Sequence, residues 1–157
     1  MSHMTRDAQG NAVQELQQVL NVQVANWSLL GMKLHHYHWY VKGPQFFVLH
    51  EKFEALYNAA AGYVDELAER LLAIGGKPSG TMSEYLKLAT ISEAAGENTS
   101  EQMVQQLVAD FGVLAEELKQ GIEVAGSLGD DATADLLTGM VADVQKQAWM
   151  LNAFLGK

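Results

Sequence analysis

The segment that decides the fold is QFFVLHEKFEALYNAAAGYVDELAERLLAIGG, residues 45–76. Its apolar residues recur at steps of three and four, a spacing typical of a helix with one face packed against a core. Gly75-Gly76 followed by Pro78 is a strong stop signal for that helix. A helix of about 28 residues is about 42 Å long at a rise of 1.5 Å per residue. The segment therefore predicts a protein built from long helices.

Three other segments repeat the same helical periodicity, and a shorter one alternates in a similar way. Thr99-x-x-Gln102 predicts a capping box at the start of the third long helix. Gly129 ends that helix, and Asp130 is placed to cap the last one. Proline, which breaks helices, occurs only twice in the chain. The predicted long helices cover about 11–40, 45–74, 99–128 and 130–155, and the short one covers 83–89.

The links between these helices predict the topology. The first and last links are only a few residues long, so each joins an antiparallel pair. The link from about Gly75 to Asn98 is long enough to return along the bundle, which makes the second and third long helices parallel. This arrangement, with the short helix inside the long link, is the all-α, ferritin-like four-helix bundle. We expect one such domain over residues 11–157, after a flexible segment over residues 1–10 whose start, Met1 to Met4, resembles a cloning remnant.

Composition excludes several kinds of chemistry. The chain has no cysteine, which rules out disulfides, thiol catalysis and thiolate metal sites. Any metal must be held by imidazole and carboxylate groups, which suit iron, manganese or zinc. The net charge of −9 disfavours nucleic acid and acidic membranes and favours cations as partners. No apolar run approaches the length of a membrane-spanning helix and no signal peptide is visible, so we expect a cytoplasmic protein.

Four residues of the second helix have the spacing of a metal site divided between two chains. His50 and Glu54 are one helical turn apart, as are Asp65 and Glu69, and all four fall within an arc of about 100°. The two pairs are about 16 Å apart along the helix, whereas a metal holds its ligands within about 2 Å. The spacing is the same when read from either end, so two antiparallel copies of the helix would bring the pairs together. Their crossing point falls at the small residues Ala59 to Gly62.

The alternative interpretation of these carboxylates is a solvated helix face on which Lys52 and Arg70 form ion pairs with them. The symmetric spacing, the small residues at its centre and the histidine favour the metal site. The usual di-iron bundle places Glu-x-x-His motifs on two inward-facing helices, and this chain has no Glu-x-x-His. A centre shared between two chains is therefore the metal site that the sequence predicts.

Other histidines lie near the end of the first helix. His38 is joined to His50 by a tight link between antiparallel helices, so the two side chains can approach each other. A histidine beside an aromatic run is more often a packed or interfacial residue than a ligand, and both alternatives stay open for His38. His35 and His36 are assigned a structural or supporting role. Trp39 is expected to anchor an interface, and its alternative role is that of a redox-active aromatic that intercepts an oxidising equivalent.

Three stretches of the chain form a specific signature. They are His38-Trp39-Tyr40-Val41-Lys42-Gly43, then Phe47 with Leu49-His50-Glu51 and Leu56-Tyr57, and finally Asp65-Glu66-x-x-Glu69-Arg70 with Ile74-Gly75-Gly76. This signature resembles that of the Dps family, the DNA-binding proteins from starved cells. The resemblance extends from about Asn11 to Lys157.

The resemblance implies a hollow dodecamer that oxidises Fe(II), preferentially with hydrogen peroxide, stores Fe(III) mineral and protects against oxidative stress. It also implies an inter-subunit centre with two iron positions, which zinc or other divalent metals can fill instead. The family's ligands correspond to His38, His50 and Glu54 of one subunit and to Asp65 and Glu69 of the partner subunit. The family usually has Asp where this chain has Glu54, so the second iron position is expected to differ.

By the same resemblance, Asp131 and Asp135 line acidic three-fold pores through which iron enters the cage. Rings of such carboxylates would concentrate Fe(II) at the pore. The alternative is that Asp130 and Asp131 serve only as cap and first-turn residues of the last helix.

The charge of the chain also bears on whether the protein binds DNA. DNA-binding members of the family often carry a terminal tail rich in Lys and Arg, whereas this chain begins Thr5-Arg6-Asp7 after the remnant and ends at Lys157. We therefore predict no appreciable DNA binding. Two alternatives remain, a nucleoid-compacting protein with little iron oxidation and a metal-free helical interaction protein. The symmetric ligand spacing argues against the second.

Overall fold

The computed structural model describes residues 4–157 and consists of four long helices and one short helix. Their bounds are α1 Arg6–Tyr40, α2 Phe46–Ala73, α3 Met82–Leu88, α4 Ser100–Ser127 and α5 Asp131–Phe154. No strand occurs within residues 4–157, so the prediction of an all-α fold is confirmed. No helix in that range combines the length and apolarity needed to cross a bilayer.

The starts of α4 and α5 follow the predicted capping signals. The Thr99 side chain accepts a hydrogen bond from the Gln102 N–H, and the Gln102 side chain accepts one from the Thr99 N–H. The predicted capping box is therefore confirmed. Asp130 caps α5 by accepting a hydrogen bond from the backbone N–H of Thr133.

The start of α1 differs from the prediction. Thr5 accepts a hydrogen bond from the Ala8 N–H, and Asp7 places a negative charge in the first turn, where the helix dipole favours it. Residues 6–10, predicted to belong to a flexible segment, are therefore helical. Most of the predicted cloning remnant, residues 1–3, lies outside the described residues.

α1 and α2 form an antiparallel pair. Near their connection, His38 and His50 exchange hydrogen bonds. At the opposite end of the pair, the Gln17 side-chain amide donates to the carbonyl of Ile74 at 3.2 Å. An early residue of α1 thus meets the end of α2, and the predicted hairpin is confirmed.

α4 also packs antiparallel against α1. Gln23 donates to the Glu117 carboxylate at 3.0 Å, and the buried Lys33 ammonium pairs with the buried Asp110 carboxylate at 2.8 Å. Because α2 and α4 both run antiparallel to α1, they are parallel to each other, as the long link predicts. α3 lies within that link and packs against α1.

α5 completes the bundle by packing against α4 and bonding to α2. Lys52 donates to the Gln147 side chain at 2.6 Å near the start of α2, and Arg70 pairs with Asp130 at 3.1 Å near its end. The order of these contacts makes α2 and α5 antiparallel. The four long helices therefore have the predicted ferritin-like topology, and their apolar faces share one core.

The small residues at the centre of α2 divide between core and surface. Ala60 is fully buried, and a side chain added at Gly31 of α1 would contact it. Ala59, Ala61 and Gly62 are exposed. The predicted crossing surface is therefore wrong at Ala60, because a rotation of 100° per residue turns that position toward the core. Ala61 is the small residue of this stretch that falls within the arc of the candidate ligands.

Candidate metal centre

The connection between α1 and α2 brings His38 and His50 together. His38 is buried near the end of α1, and His50 is half-buried near the start of α2. Gly43 has φ of 101°, a backbone conformation that favours glycine and lets the chain reverse over a few residues. The two imidazole rings stack with centroids 3.6 Å apart and planes 12° from parallel.

Each of these histidines fixes the other through the backbone. His38 Nδ1 donates to the carbonyl of His50 at 2.6 Å, and His50 Nδ1 donates to the carbonyl of His38 at 2.7 Å. A carbonyl oxygen only accepts hydrogen bonds, so both rings carry the proton on Nδ1 and, when neutral, keep a lone pair on Nε2. Metal-binding histidines are typically oriented by such a bond. The pair therefore offers two oriented Nε2 lone pairs, a donor type that suits divalent ions such as iron or zinc.

Glu54 lies one turn after His50 and contacts an aromatic side chain. Its Oε1 accepts a hydrogen bond from the Tyr57 hydroxyl at 3.2 Å. The Tyr57 ring stacks on His35, with centroids 3.7 Å apart and planes 16° from parallel. Burial and the hydrogen bond to Glu54 raise the pKa of Tyr57, so its hydroxyl stays protonated and donates. No role was predicted for Tyr57, although its i, i+3 spacing from Glu54 could have revealed the contact.

Asp65 and Glu69 lie on the same face of α2 but apart from the histidine pair. Both carboxylates are exposed, and Asp65 follows Glu54 at a distance of about 16 Å along the helix. Within residues 4–157 of one chain, no three His, Asp or Glu side chains are grouped so that they could hold a metal ion. His38, His50 and Glu54, the ligands expected from one subunit, are therefore not gathered into one metal-holding group within residues 4–157 of the single chain; the structure brings together only the two histidines.

The cations of α2 do not neutralise these carboxylates. Lys52 donates to Gln147 of α5, and Arg70 contacts Thr133 of α5 and Asp130, which caps that helix. The ion pairs in the part of the chain that the structure describes are Lys33–Asp110, Arg70–Asp130 and Lys119–Glu116. The ion pairs with Lys52 and Arg70 that the alternative interpretation predicted do not form, although the carboxylates are exposed, as on a solvated helix face.

Polar groups of α2 and α5 also meet inside the bundle. The Tyr63 hydroxyl donates to the Asp143 carboxylate, and the Lys52 ammonium lies nearby, bonded to Gln147. Burial lowers the pKa of Lys52, whereas burial and the hydrogen bond to Asp143 raise the pKa of Tyr63. Asp143 is thus already hydrogen-bonded to a side chain of the same protein.

Trp39 lies beside the aromatic neighbours of this site. Its side chain is 59% exposed, and its ring centroid is 5.5 Å from that of His35. Tyr40 is also exposed and lies 4.6 Å from the ring of His36. Such exposure suits an interface anchor and a redox-active aromatic alike, so both predicted roles remain for Trp39.

Asp131 and Asp135 are exposed on the first two turns of α5. The cap is Asp130, which accepts hydrogen bonds from the N–H and hydroxyl of Thr133 and pairs with Arg70. Burial opposes ionisation of Asp130, but these contacts outweigh it and hold the pKa of its carboxyl below the usual value. The capping role is thus filled, and Asp131 and Asp135 form a separate acidic pair one turn apart.

Comparison with known proteins agrees with the helical topology of the chain. A family model described as a ferritin-like domain matches residues 17–157. DNA protection during starvation protein 2 of Bacillus anthracis is 55% identical over 140 residues, which cover 89% of this chain and 96% of that protein. The crystal structure of Dps from Staphylococcus aureus is 51% identical with a TM-score of 0.88, covering 90% of this chain and 95% of that one.

A more distant structure carries a broader description. The Dps protein of Vibrio cholerae O1, described as a member of a broad superfamily of ferritin-like diiron-carboxylate proteins, is 36% identical with a TM-score of 0.88. That match covers 92% of this chain and 91% of the other. The helical topology, the family match and the sequence identities point to the same group of proteins. The chain therefore belongs to the Dps family of ferritin-like proteins.

Proposed function

We propose that this protein oxidises Fe(II) and stores Fe(III), at centres that two copies of the chain build together. The observation that carries the proposal is the reciprocal hydrogen bonding of His38 and His50, which orients two imidazoles as metal ligands. The relationship to a diiron-carboxylate protein supports iron as the metal. Zinc and other divalent ions also bind imidazole and carboxylate and can substitute.

A two-fold arrangement of α2 would complete the ligand set. In an antiparallel pair of these helices, His50 and Glu54 of one subunit lie opposite Glu69 and Asp65 of the partner subunit. Ala61, exposed near the centre of that face, leaves room for the two helices to approach. Each dimer would then hold two equivalent centres, with His38 as a further ligand of each.

Iron is the substrate at this centre. Two Fe(II) ions give one electron each to hydrogen peroxide, whose O–O bond breaks, and two protons are taken up to form two water molecules. Both electrons are delivered at one site, so no hydroxyl radical is released. We expect peroxide to be preferred over dioxygen, and the Fe(III) product to hydrolyse into mineral inside a hollow dodecamer.

Entry of iron is assigned to the acidic pair of α5. Asp131 and Asp135 are exposed and unneeded as caps, so a ring of such pairs around a three-fold axis would attract Fe(II). The net charge of −9 per chain opposes contact with phosphate, so we expect no appreciable DNA binding. An electrophoretic mobility shift with duplex DNA at physiological salt checks this, since a shift would support nucleoid compaction instead. A cytoplasmic location stays a prediction.

Complementation between two inactive variants tests the shared centre. His50→Ala/Glu54→Ala subunits lack one half of each site, and Asp65→Ala/Glu69→Ala subunits lack the other half. Each mixed dimer then has one centre with both halves intact and one with both lost. After random co-refolding, about a quarter of the centres should be restored.

The readout is Fe(II) oxidation by peroxide, followed by absorbance. Each variant refolded alone is the control and should stay inactive. Light scattering and mass spectrometry verify that mixed assemblies have formed. If verified mixed assemblies recover no activity, each chain builds its own centre and the two-fold proposal is wrong.

A further inference from the structure

A single tyrosine contacts two of the candidate ligands. The Tyr57 hydroxyl donates to Glu54 Oε1 at 3.2 Å. The Tyr57 ring also packs against the His38 ring. The two ring planes meet at 87°, and their centroids are 5.4 Å apart. Long helical side chains lean toward the N-terminus of their helix, so Tyr57 leans back over Glu54, which lies one turn earlier.

His35 holds the other face of this tyrosine. The two rings are nearly parallel, and their centroids are 3.7 Å apart. His35 Nδ1 donates to the carbonyl of Gly31 at 2.8 Å, one turn earlier in α1, and this bond fixes the orientation of the imidazole. Tyr57 of α2 is thereby held against a surface that belongs to α1.

We propose that Tyr57 is a positioning residue that holds the Glu54 carboxylate ready for the metal, and that His35 supports Tyr57 by stacking on it. The inference rests on the proposed function. Glu54 is otherwise an exposed side chain with several rotatable bonds, and it would lose that freedom on binding a metal. The bond to Oε1 restricts the side chain beforehand and leaves Oε2 for the metal.

Binding of Co²⁺ to the metal-free assembly tests this role without turnover. Tyr57→Phe keeps the ring but removes the hydroxyl, and we expect Co²⁺ affinity, measured by titration calorimetry and Co²⁺ absorption, to fall about tenfold. The KM for Fe(II) should rise in parallel while the assembly mass is unchanged. Tyr85→Phe, at another half-buried tyrosine on α3, is the matched control and should bind as the wild type does. Unchanged Co²⁺ affinity in Tyr57→Phe overturns the proposal.

Two substitutions of His35 separate stacking from ligation. His35→Phe retains an aromatic surface for Tyr57, and His35→Ala removes it. We expect His35→Ala to lose affinity for Co²⁺ severalfold and His35→Phe to restore it. An equal loss in both variants would mean that the imidazole itself is required, and the supporting role by stacking would be wrong.

A double substitution asks whether Tyr57 acts through Glu54. In a Glu54→Ala background, Tyr57→Phe should cause no further loss of Co²⁺ affinity, because the carboxylate that it positions is already gone. A second loss of about tenfold in that background would show that Tyr57 acts by another route.

His50→Ala distinguishes failure of this inference from failure of the proposed function. If assembled His50→Ala binds Co²⁺ as tightly as the wild type, the metal centre itself is wrong, and the role of Tyr57 falls with it. If His50→Ala loses binding while Tyr57→Phe retains it, the centre stands and only the positioning role is wrong.

Discussion

The two ends of α2 carry candidate ligands that are held in different ways. At the first end, His50 is half-buried and hydrogen-bonded to the buried His38 of α1. At the other end, Asp65 and Glu69 are exposed and take part in none of the ion pairs of residues 4–157. The histidines of the candidate centre are thus held by contacts within the chain, whereas Asp65 and Glu69 are exposed and form none of these ion pairs.

The chemistry of the two ligand types explains this difference. A neutral imidazole loses little on burial when its N–H has a partner, as both histidines do. A carboxylate loses its hydration on burial and needs a compensating charge. Asp65 and Glu69 are exposed to solvent and take part in none of the ion pairs of residues 4–157. A metal ion bound between two subunits would provide the compensating charge.

Removal of either half of the candidate centre should have the largest effect on the rate of Fe(II) oxidation. Asp65→Ala/Glu69→Ala should slow Fe(II) oxidation more than about 100-fold, because both ligands from the partner are lost. Thermal unfolding should be nearly unchanged, since exposed substitutions alter stability by about 0.5 kcal/mol or less. His38→Ala should slow oxidation similarly but also lower the unfolding free energy by about 2 kcal/mol, because a buried ring is removed.

Stopped-flow absorbance and thermal denaturation measure the two effects. Oxidation at the wild-type rate in Asp65→Ala/Glu69→Ala would show that the exposed end does not belong to the centre. A loss of stability in that variant equal to the loss in His38→Ala would remove the distinction between the two ends.

A bulky residue between the two ends of α2 should push two paired α2 helices apart without changing a candidate ligand. Ala61 is exposed and within the ligand arc, so Ala61→Phe should keep the subunit folded but force two antiparallel α2 helices apart. Ferroxidase activity should fall about tenfold or more, in line with the loss of ligand alignment. Ala109→Phe, on an exposed face of α4, is the control. Sedimentation that shows intact dimers with normal activity in Ala61→Phe would place the crossing elsewhere.

The acidic pair of α5 sharpens the comparison, because it is exposed like Asp65 and Glu69 but is assigned no ligand role. Asp131→Asn/Asp135→Asn should slow oxidation about tenfold at low Fe(II) and low salt, through lost electrostatic attraction. The rate should recover as Fe(II) is raised, since the centre is intact. Initial rates over a range of Fe(II) concentrations test this. A deficit that persists at saturating Fe(II) would contradict a role confined to entry.

The smallest expected effect concerns the ion pair between Arg70, near the end of α2, and Asp130. Asp130→Asn preserves an N-cap but removes the charge that pairs with Arg70, so the unfolding free energy should fall by about 0.5 kcal/mol at neutral pH. The folded-state pKa of Asp130 lies below its usual value of 3.8, so its contribution is present above about pH 3.8 and is lost as the pH falls through the folded pKa.

Denaturant titrations of the wild type and Asp130→Asn at several pH values measure this contribution. The difference between the two proteins should shrink below pH 3.8. A difference that stays constant down to pH 2 would mean that the Asp130 charge has no part in stability.

Helical periodicity and capping signals predicted the fold because they act over a few residues of the chain. The capping box at Thr99 and the cap at Asp130 occur where predicted. The extension of α1 to Arg6 shows how one further cap, at Thr5, moves a boundary by five residues relative to the prediction. The parallel course of α2 and α4 followed from the length of the link between them.

Partners across the bundle could not be predicted in the same way. Lys52 and Arg70 were candidates for pairs within α2. Lys52 instead bonds to Gln147 of α5, and Arg70 pairs with Asp130, the residue that caps α5. Ala60 was grouped with its neighbours by size, whereas packing against α1 separates it from them. Neither outcome is encoded in local spacing.

The sequence by itself determined the candidate ligand types and their symmetric spacing on α2, since a helix of fixed rise and rotation converts residue numbers into positions on a face. Only the tertiary structure decided that His38 and His50 lock each other through backbone carbonyls, and that Tyr57 joins Glu54 to His35. These contacts depend on how closely α1 and α2 approach across a turn. That distance is set by packing of the whole core and not by either helix alone.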